Sequence, residues 1–143
     1  MNNNDFRFFK ELDIRWSDFD AIGHVNNVMY FEYFQIGRGF YFPSISKKWD
    51  WSKNMFVIAH IEADYKKELK PSAKSPKIGL RISQIGNKSF DLEYIITSKS
   101  STNEDIIHCT GKSTQVMIDL KEKKSIEIPE WLRKDFENSN TNL

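Results

Sequence analysis

The sequence predicts an α+β fold in which a curved antiparallel β-sheet wraps around one long central helix. Three observations lead there. The stretch that begins at Val28 is apolar on nearly every side for roughly three to four turns, so a helix made from it has to be enclosed by other structure. Several other segments alternate apolar and polar residues with the period of a strand. Short turn signals separate the later ones, so successive strands run antiparallel.

The elements follow in chain order. Phe6, Phe8, Leu12, Ile14 and Trp16 fall on even positions with Arg7, Glu11, Asp13 and Arg15 between them, a half-buried strand with an interruption near Phe9 and Lys10. Residues 17–27 are polar and read as a loop. From Val28 the run through Phe42 reads as the helix, with Asn26 or Asn27 as its N-cap. Gly37 and Gly39 weaken that helix, and Pro43 is expected to end it. Met55, Val57, Ala59, Ile61, Ala63 and Tyr65 form the next alternating set. Ile78, Leu80 and Ile82 follow, then Phe90, Leu92, Tyr94 and Ile96, then His108, Thr110, Thr114, Val116 and Ile118. Turns are expected at Lys70–Ser72, Gly86–Lys88 and 98–103, which makes the four later strands a meander joined by the first. Pro129–Arg133 reads as a short terminal helix, and residues 137–143 read as a frayed end. The order is β-α-β-β-β-β, one domain over residues 1–143.

Composition narrows the function. Apolar residues make up 39% and charged residues 29% of the 143, a globular balance. Lys and Arg number 21 against 20 Asp and Glu, so the net charge of +1 argues against a nucleic-acid partner, which needs a basic excess. Cys109 is the only cysteine, which permits no internal disulfide and suits a reducing compartment. No apolar stretch is long enough to span a bilayer, and the polar N-terminus lacks a signal peptide's apolar core. A cytoplasmic protein with no membrane partner is the expectation.

The polar cluster Asp18–Asn27 stands directly against the apolar run. Each residue alone is explained by loop and cap chemistry, and Gly23 alone by a positive φ or a close backbone approach. Together they place a carboxylate, Asp20, just before a helix N-terminus, whose unpaired N–H donors and positive dipole end suit a developing oxyanion. That pairing is what hydrolysis of an acyl group needs: one group to attack or to activate water, another to stabilise the tetrahedral oxygen.

The stretch Asp18-Phe19-Asp20-Ala21-Ile22-Gly23-His24-Val25-Asn26-Asn27, followed by Tyr30, closely resembles the signature of hotdog-fold thioesterases of the 4-hydroxybenzoyl-CoA thioesterase type. Its His-Val-Asn-Asn-x-x-Tyr portion is also similar to plant and bacterial acyl carrier protein (acyl-ACP) thioesterases. The likeness continues in the element order and in Gly86-Asn87-Lys88-Ser89-Phe90, similar to the family's turn between middle strands. It implies a hotdog fold and hydrolysis of an acyl thioester, carried by coenzyme A or by an acyl carrier protein. It implies no cofactor and no metal, and a homodimer or homotetramer.

Roles follow residue by residue from the resemblance. Asp20 matches the catalytic carboxylate, as nucleophile or general base, and the backbone N–H of Asn27 falls where the family polarises the thioester carbonyl. His24 matches a histidine that shares in catalysis in the acyl-ACP branch, although that branch has Asn where this chain has Ile22. Gly23, Tyr30, Phe31, Phe34, Lys88 and Ser89 are expected to contact substrate, and Asp18 to hold the loop by accepting backbone hydrogen bonds, with a share in catalysis as its alternative role.

Other groups carry less. His60 and His108 stand on separate strands without metal-ligand spacing and read as structural, and Cys109 reads as core. Glu32 or Glu62 is a candidate second carboxylate. Lys66, Lys67, Lys70, Lys74 and Lys77 form a basic stretch, a solvated face or a surface for coenzyme A phosphates or an acidic carrier protein. Two rivals stand beside hydrolysis: a non-catalytic module that binds acyl groups or carrier proteins, and a dehydratase, whose motif the sequence lacks.

Overall fold

The computed structural model describes residues 1–140. Its elements are β1 (Phe8–Glu11), α1 (Met29–Ile45), β2 (Met55–Tyr65), β3 (Lys74–Ile85), β4 (Ser89–Lys99), β5 (Asp105–Ile118) and α2 (Glu130–Asn138). The strands form one antiparallel sheet in the order β1-β3-β4-β5-β2, with α1 against its inner face.

The order corrects the expected meander. Strands β3, β4 and β5 follow one another, but β2 lies at the far edge against β5, and β1 takes the opposite edge against β3. The 66–73 link therefore crosses the end of the sheet instead of closing a hairpin, and Leu69 within it is fully buried. The first strand is also shorter than its alternation suggested. After Leu12, whose N–H bonds the carbonyl of Pro76 at 2.9 Å, the chain leaves the sheet, and Trp16 opens a 3₁₀ turn with 91% of its surface exposed.

The inner face of the sheet is set by how closely α1 approaches it. A Cβ added to Gly37 would stand 2.6 Å from Cδ1 of Leu80, and one added to Gly111 would stand 2.6 Å from the ring of Phe34. Gly37 thus serves contact, where the sequence suggested only a weakened helix. The ring of Phe34 stacks on Tyr94 with centroids 4.2 Å apart. This squeeze explains a reversed face on β5. The expected inward set was His108, Thr110, Thr114, Val116 and Ile118, but Cys109, Gly111, Ser113, Gln115 and Met117 are the buried residues facing the helix side. Small and polar side chains stand there because large aromatic ones descend from the helix. Arg38, buried on α1, donates to the hydroxyl of Tyr94 at 2.9 Å, which pairs in turn with Ser113 at 2.5 Å, and Gln115 donates to Ser113.

On β2 an irregularity between Ile58 and His60 shifts the alternation. Phe56, Ile61 and Ala63 pack on the core, while Val57 and Ile58 stay 47% and 37% exposed. On β3 and β4 the expected residues Ile78, Leu80, Ile82, Phe90, Leu92, Tyr94 and Ile96 are all buried.

Helix α1 runs two residues past Pro43. So near the C-terminus the proline forfeits one bond, to the carbonyl of residue 39, and the Ser46 N–H still reaches Phe42 at 3.0 Å. Helix α2 is longer than expected because Leu132 and Phe136 dock on the core, Phe136 4.6 Å from Phe90 between ring centroids. Glu137 and Asn138 therefore belong to the helix, and only residues 141–143 of the expected frayed end lie outside the described residues.

The tight contact at Gly111 is directly testable. Gly111→Ala puts a methyl group against both the Phe34 ring and the Glu62 carbonyl, 2.9 Å away, so a loss of about 1–3 kcal/mol is expected from overpacking. Urea denaturation measures it, and a variant as stable as wild type would show that the helix can lift off the sheet at little cost.

Candidate active site

The 16–28 segment is shaped first by Asp18. Its carboxylate is 1% exposed and accepts from the Arg15 N–H at 3.0 Å, from Arg15 Nε at 3.1 Å and from the Tyr33 hydroxyl at 2.7 Å. Burial pushes the Asp18 carboxyl up, but the Tyr33 hydroxyl and the Arg15 amide and guanidinium together outweigh it and hold the group below the usual carboxylate range. Burial and the Asp18 charge push the Tyr33 phenol well up, so it stays a donor. The contacts of Asp18 hold the loop as expected, but two of its three donors, the Arg15 guanidinium and the Tyr33 hydroxyl, are side chains and not the expected backbone amides.

Above this anchor the chain makes a tight hairpin. The Asp18 carbonyl accepts from the Asn26 N–H at 2.8 Å, and the Asp20 N–H donates to the His24 carbonyl at 2.8 Å. Gly23 turns the corner at φ +80°, a conformation that suits glycine. One oxygen of Asp20, Oδ1, accepts from the amides of Ile22 at 3.0 Å and His24 at 3.3 Å. The other, Oδ2, has no hydrogen-bond partner among the described residues.

The helix start follows. The Val25 N–H donates to the Leu69 carbonyl at 2.9 Å, which ties the loop to the 66–73 link. The N-cap of α1 is Val28, which makes no side-chain cap bond, and not the expected Asn26 or Asn27. Asn26 instead braces the turn before the helix, its Oδ1 accepting from the Val28 N–H at 3.1 Å and its carbonyl from the Met29 N–H at 2.9 Å. The Asn27 carbonyl accepts from the Tyr30 N–H at 3.3 Å and the Tyr65 hydroxyl at 3.0 Å. From residue 22 to residue 31, the amide left without an acceptor among the described residues is that of Asn27.

These groups meet in an open cleft of about 400 Å³ whose lining includes Asp20, His24, Asn27, Tyr30, Tyr65 and Glu68. The Tyr30 and Tyr65 rings meet edge to face, 5.1 Å apart, and close one side. The arrangement offers a carboxylate with one uncommitted oxygen, an imidazole and an uncommitted amide around a space open to solvent. That is the equipment for attack on a carbonyl carbon with stabilisation of its oxygen.

Asp20, His24, Asn27 and Tyr30, four of the expected residues, share this cleft. The others do not line it. Gly23 shapes the turn, Phe34 is fully buried in the core, and Phe31 packs half-buried against Phe34. Lys88 and Ser89 stand at the β3–β4 turn, where Ser89 faces Val116, whereas Tyr65 by the cleft faces Cys109. Along β5 those two positions are about 23 Å apart at the rise of an extended chain. Of the candidate second carboxylates, Glu32 pairs with Arg15 at 2.9 Å and Glu62 lies 3.6 Å from His60, neither lining the cleft. Cys109 is buried, which pushes its thiol up to about 12. Tyr65 was not among the expected site residues. Its signal was faint: an aromatic residue closing an alternating run just before the lysine-rich link. Among the described residues no group of three or more His, Cys, Asp or Glu is placed to hold a metal ion.

Residues 14–136 match the family described as the Thioesterase-like superfamily, and the chain belongs to it. Thioester hydrolysis is the chemistry that this membership supports. A crystal structure of a thioesterase from Thermus thermophilus, complexed with coenzyme A and Zn, is similar at 26% identity and a TM-score of 0.80, over 97% of this chain and 98% of that one. The PA5185 protein of Pseudomonas aeruginosa strain PAO1 shares the fold with a TM-score of 0.82 at 20% identity, over 97% of this chain and 95% of that one. Among curated proteins, the uncharacterized protein YsmA of Bacillus subtilis is 32% identical over 90 residues, 63% of this chain and 60% of that protein's length. The observed sheet and helix are thus the hotdog arrangement that the resemblance implied.

The anchor predicts a pH signature. The Asp18 carboxyl sits lower in the folded protein than in the unfolded chain, so its stabilisation is complete above the unfolded value, near 3.9, and is lost as pH falls through the folded one. Tyr33→Phe removes one donor to the buried carboxylate and should cost about 1–3 kcal/mol at pH 7. Thermal melts of the two proteins should draw together as pH falls through the carboxylate range. A constant gap down to acid would show that the tyrosine acts by packing alone.

Proposed function

We propose that this protein hydrolyses an acyl-coenzyme A thioester, with Asp20 as the carboxylate that delivers water or attacks, and the Asn27 amide as the donor to the thioester oxygen. The observation that carries the reading is the pairing of two uncommitted groups on one cleft: Oδ2 of Asp20 and the N–H of Asn27. Both are free because their neighbours are committed. The same hairpin that ties up Oδ1 leaves Oδ2 available, and the Asn26 side chain, bonded to the Val28 N–H, leaves that of Asn27 unclaimed.

In the general-base form Asp20 takes a proton from water as the water oxygen bonds to the carbonyl carbon. The carbonyl oxygen gains charge opposite the Asn27 N–H and the positive end of α1. The C–S bond then breaks, and the thiolate leaves with the proton that Asp20 had taken. In the nucleophilic form Oδ2 bonds to the carbonyl carbon first, the C–S bond breaks and the thiolate leaves. Water then opens the resulting mixed anhydride to the free acid and the Asp20 carboxylate, its released proton going to the thiolate. Labelled water separates the two, since only hydrolysis of an anhydride at its Asp20 carbonyl places label in the enzyme. His24 lines the same cleft, which supports a share in proton transfer and keeps a carrier-protein substrate as the second reading. The bound coenzyme A of the Thermus relative supports the first.

A homodimer belongs to this reading. Strand β2 is an edge of eleven residues with Val57 and Ile58 exposed, and a long apolar edge invites pairing with a second copy. A homodimer or a tetramer of such pairs covers it, and sedimentation of the purified chain reads the mass directly. A monomer at micromolar concentration would remove this part of the reading.

Thiol release from a panel of aliphatic and aromatic acyl-CoAs, including 4-hydroxybenzoyl-CoA, tests the activity. Asp20→Asn keeps an oxygen for the Ile22 and His24 amides and should lower kcat by about a hundredfold or more. Asn27→Ala keeps the backbone N–H and should lower kcat by less than about tenfold, since the side chain is exposed and uncommitted. Equal losses in both variants would move the oxyanion donor from the Asn27 amide to its side chain. No release from any acyl-CoA or acyl carrier protein would leave the binding-module reading.

A further inference from the structure

A second cleft, of about 270 Å³, opens on the other side of the 66–70 segment. The two hollows share Lys67 and Glu68 in their walls, so that segment is a ridge between them.

The second cleft is strongly basic. Lys67, Lys70, Lys74 and Lys99 line it against the single carboxylate of Glu68. Lys99 is held by Asp105 at 2.7 Å, and Lys70 reaches Glu68 only at 3.7 Å, with both partners about half exposed. Lys67 and Lys74 have no carboxylate within ion-pair distance among the described residues. In a chain of net charge +1, this excess of cations is a local arrangement and not a consequence of composition.

Its floor is built from buried polar groups. Ser98 and His108 are 3% and 4% exposed. Nδ1 of His108 lies 3.1 Å from the carbonyls of both Lys67 and Glu68, which makes it the protonated nitrogen and leaves Nε2 to accept from the Ser98 hydroxyl at 2.7 Å. The amides of Lys66 and Lys67 return bonds to the His108 carbonyl at 2.9 and 3.3 Å. The ridge is thereby fixed to β5, which forms the wall of the cleft behind it.

The geometry points to this second cleft as the subsite for the phosphorylated nucleotide end of a coenzyme A thioester, with Lys67, Lys70 and Lys74 meeting its phosphates. The inference rests on the hydrolase reading above and decides its carrier. A thioester held at Asp20 sends its carrier arm outward, and an arm crossing the ridge at Lys67 enters the basic hollow. A nucleotide with several phosphate charges fills a concave site of this size and polarity. A folded carrier protein presents a convex surface, which would rest on the rim and leave the hollow empty.

Two measurements test it, using Lys70→Gln/Lys74→Gln, substitutions that touch only the second cleft. In the first, adenosine 3′,5′-bisphosphate is titrated by calorimetry into wild type and variant. Binding to wild type, weakened about tenfold or more in the variant, is expected from the loss of charge-assisted contacts. In the second, thiol release is compared for an acyl-CoA and for the same acyl group on N-acetylcysteamine, which carries neither nucleotide nor phosphate. The variant should raise KM for the acyl-CoA by about tenfold, with kcat unchanged, and should treat the truncated substrate as wild type does. Absence of bisphosphate binding by wild type overturns the subsite, as does an equal effect on both substrates. A KM increase confined to acyl carrier protein also overturns it and assigns the lysines to protein docking. If wild type hydrolyses no thioester, it is the hydrolase reading that fails, and the calorimetry alone then decides the subsite.

Discussion

The loop that carries the candidate site depends on one buried carboxylate. Asp18 is charged and almost without water, a state tolerable only because Tyr33, the Arg15 amide and the Arg15 guanidinium all donate to it. Tyr33 stands on α1, so this cluster fastens the loop to the helix it precedes. The carbonyl of the same residue takes the Asn26 N–H, and the Asn26 side chain in turn holds the amide of Val28, the residue at the N-cap of the helix. A disturbance at Asp18 therefore reaches the Asn27 amide through two bonded residues, without any contact between Asp18 and the cleft. The second tether runs through the Val25 N–H to Leu69, whose segment is pinned by His108. The cleft is thus held from below by α1 and from the side by β5.

The sequence made the helix, the antiparallel strands and the polar cluster legible, because each writes its period or its turn chemistry locally. The register of β5 was not legible for a physical reason. Alternation marks a buried face only where that face is apolar, and here α1 comes so close that Gly111 and Ser113 occupy it. The large side chains that fill the core above β5 belong to another element. Likewise the bulge on β2 swaps faces in mid-strand, and no residue type announces it. Strand order was hidden too, since the long link after Tyr65 reads the same whether it turns back or crosses over.

At the site, the motif marked the groups that lie close in sequence, Asp20, His24 and Asn27, because one hairpin and the helix start that follows it bring them together. Tyr65 and the ridge come from 38 or more residues downstream of Asn27; the pairing of β2 with β5 delivers Tyr65, and the start of the 66–73 link delivers the ridge. The aromatic residues of the helix show the converse error. Phe34 sits in the motif's shadow and is apolar enough to line an acyl channel, but its ring is committed to Tyr94 and Gly111. Proximity in sequence to a functional loop does not open a residue to substrate.

The two aspartates of the motif show how environment divides identical chemistry. Asp18 and Asp20 differ by two positions, and nothing in their side chains distinguishes them. Asp18 spends both oxygens on donors within the protein, one of them a guanidinium, so it has neither a free lone pair to offer a water nor any path to one. Asp20 spends one oxygen on two backbone amides, which fixes its orientation as firmly, yet leaves the second facing no donor among the described residues. A base that is oriented but half uncommitted loses little freedom when substrate arrives, and that is the condition for positioned proton transfer. Had the hairpin supplied a third amide, Asp20 would be a second structural carboxylate. The glycine at residue 23 matters here for more than the turn: by placing the His24 N–H back on Oδ1, its positive φ lets one oxygen serve two donors and keeps the other free.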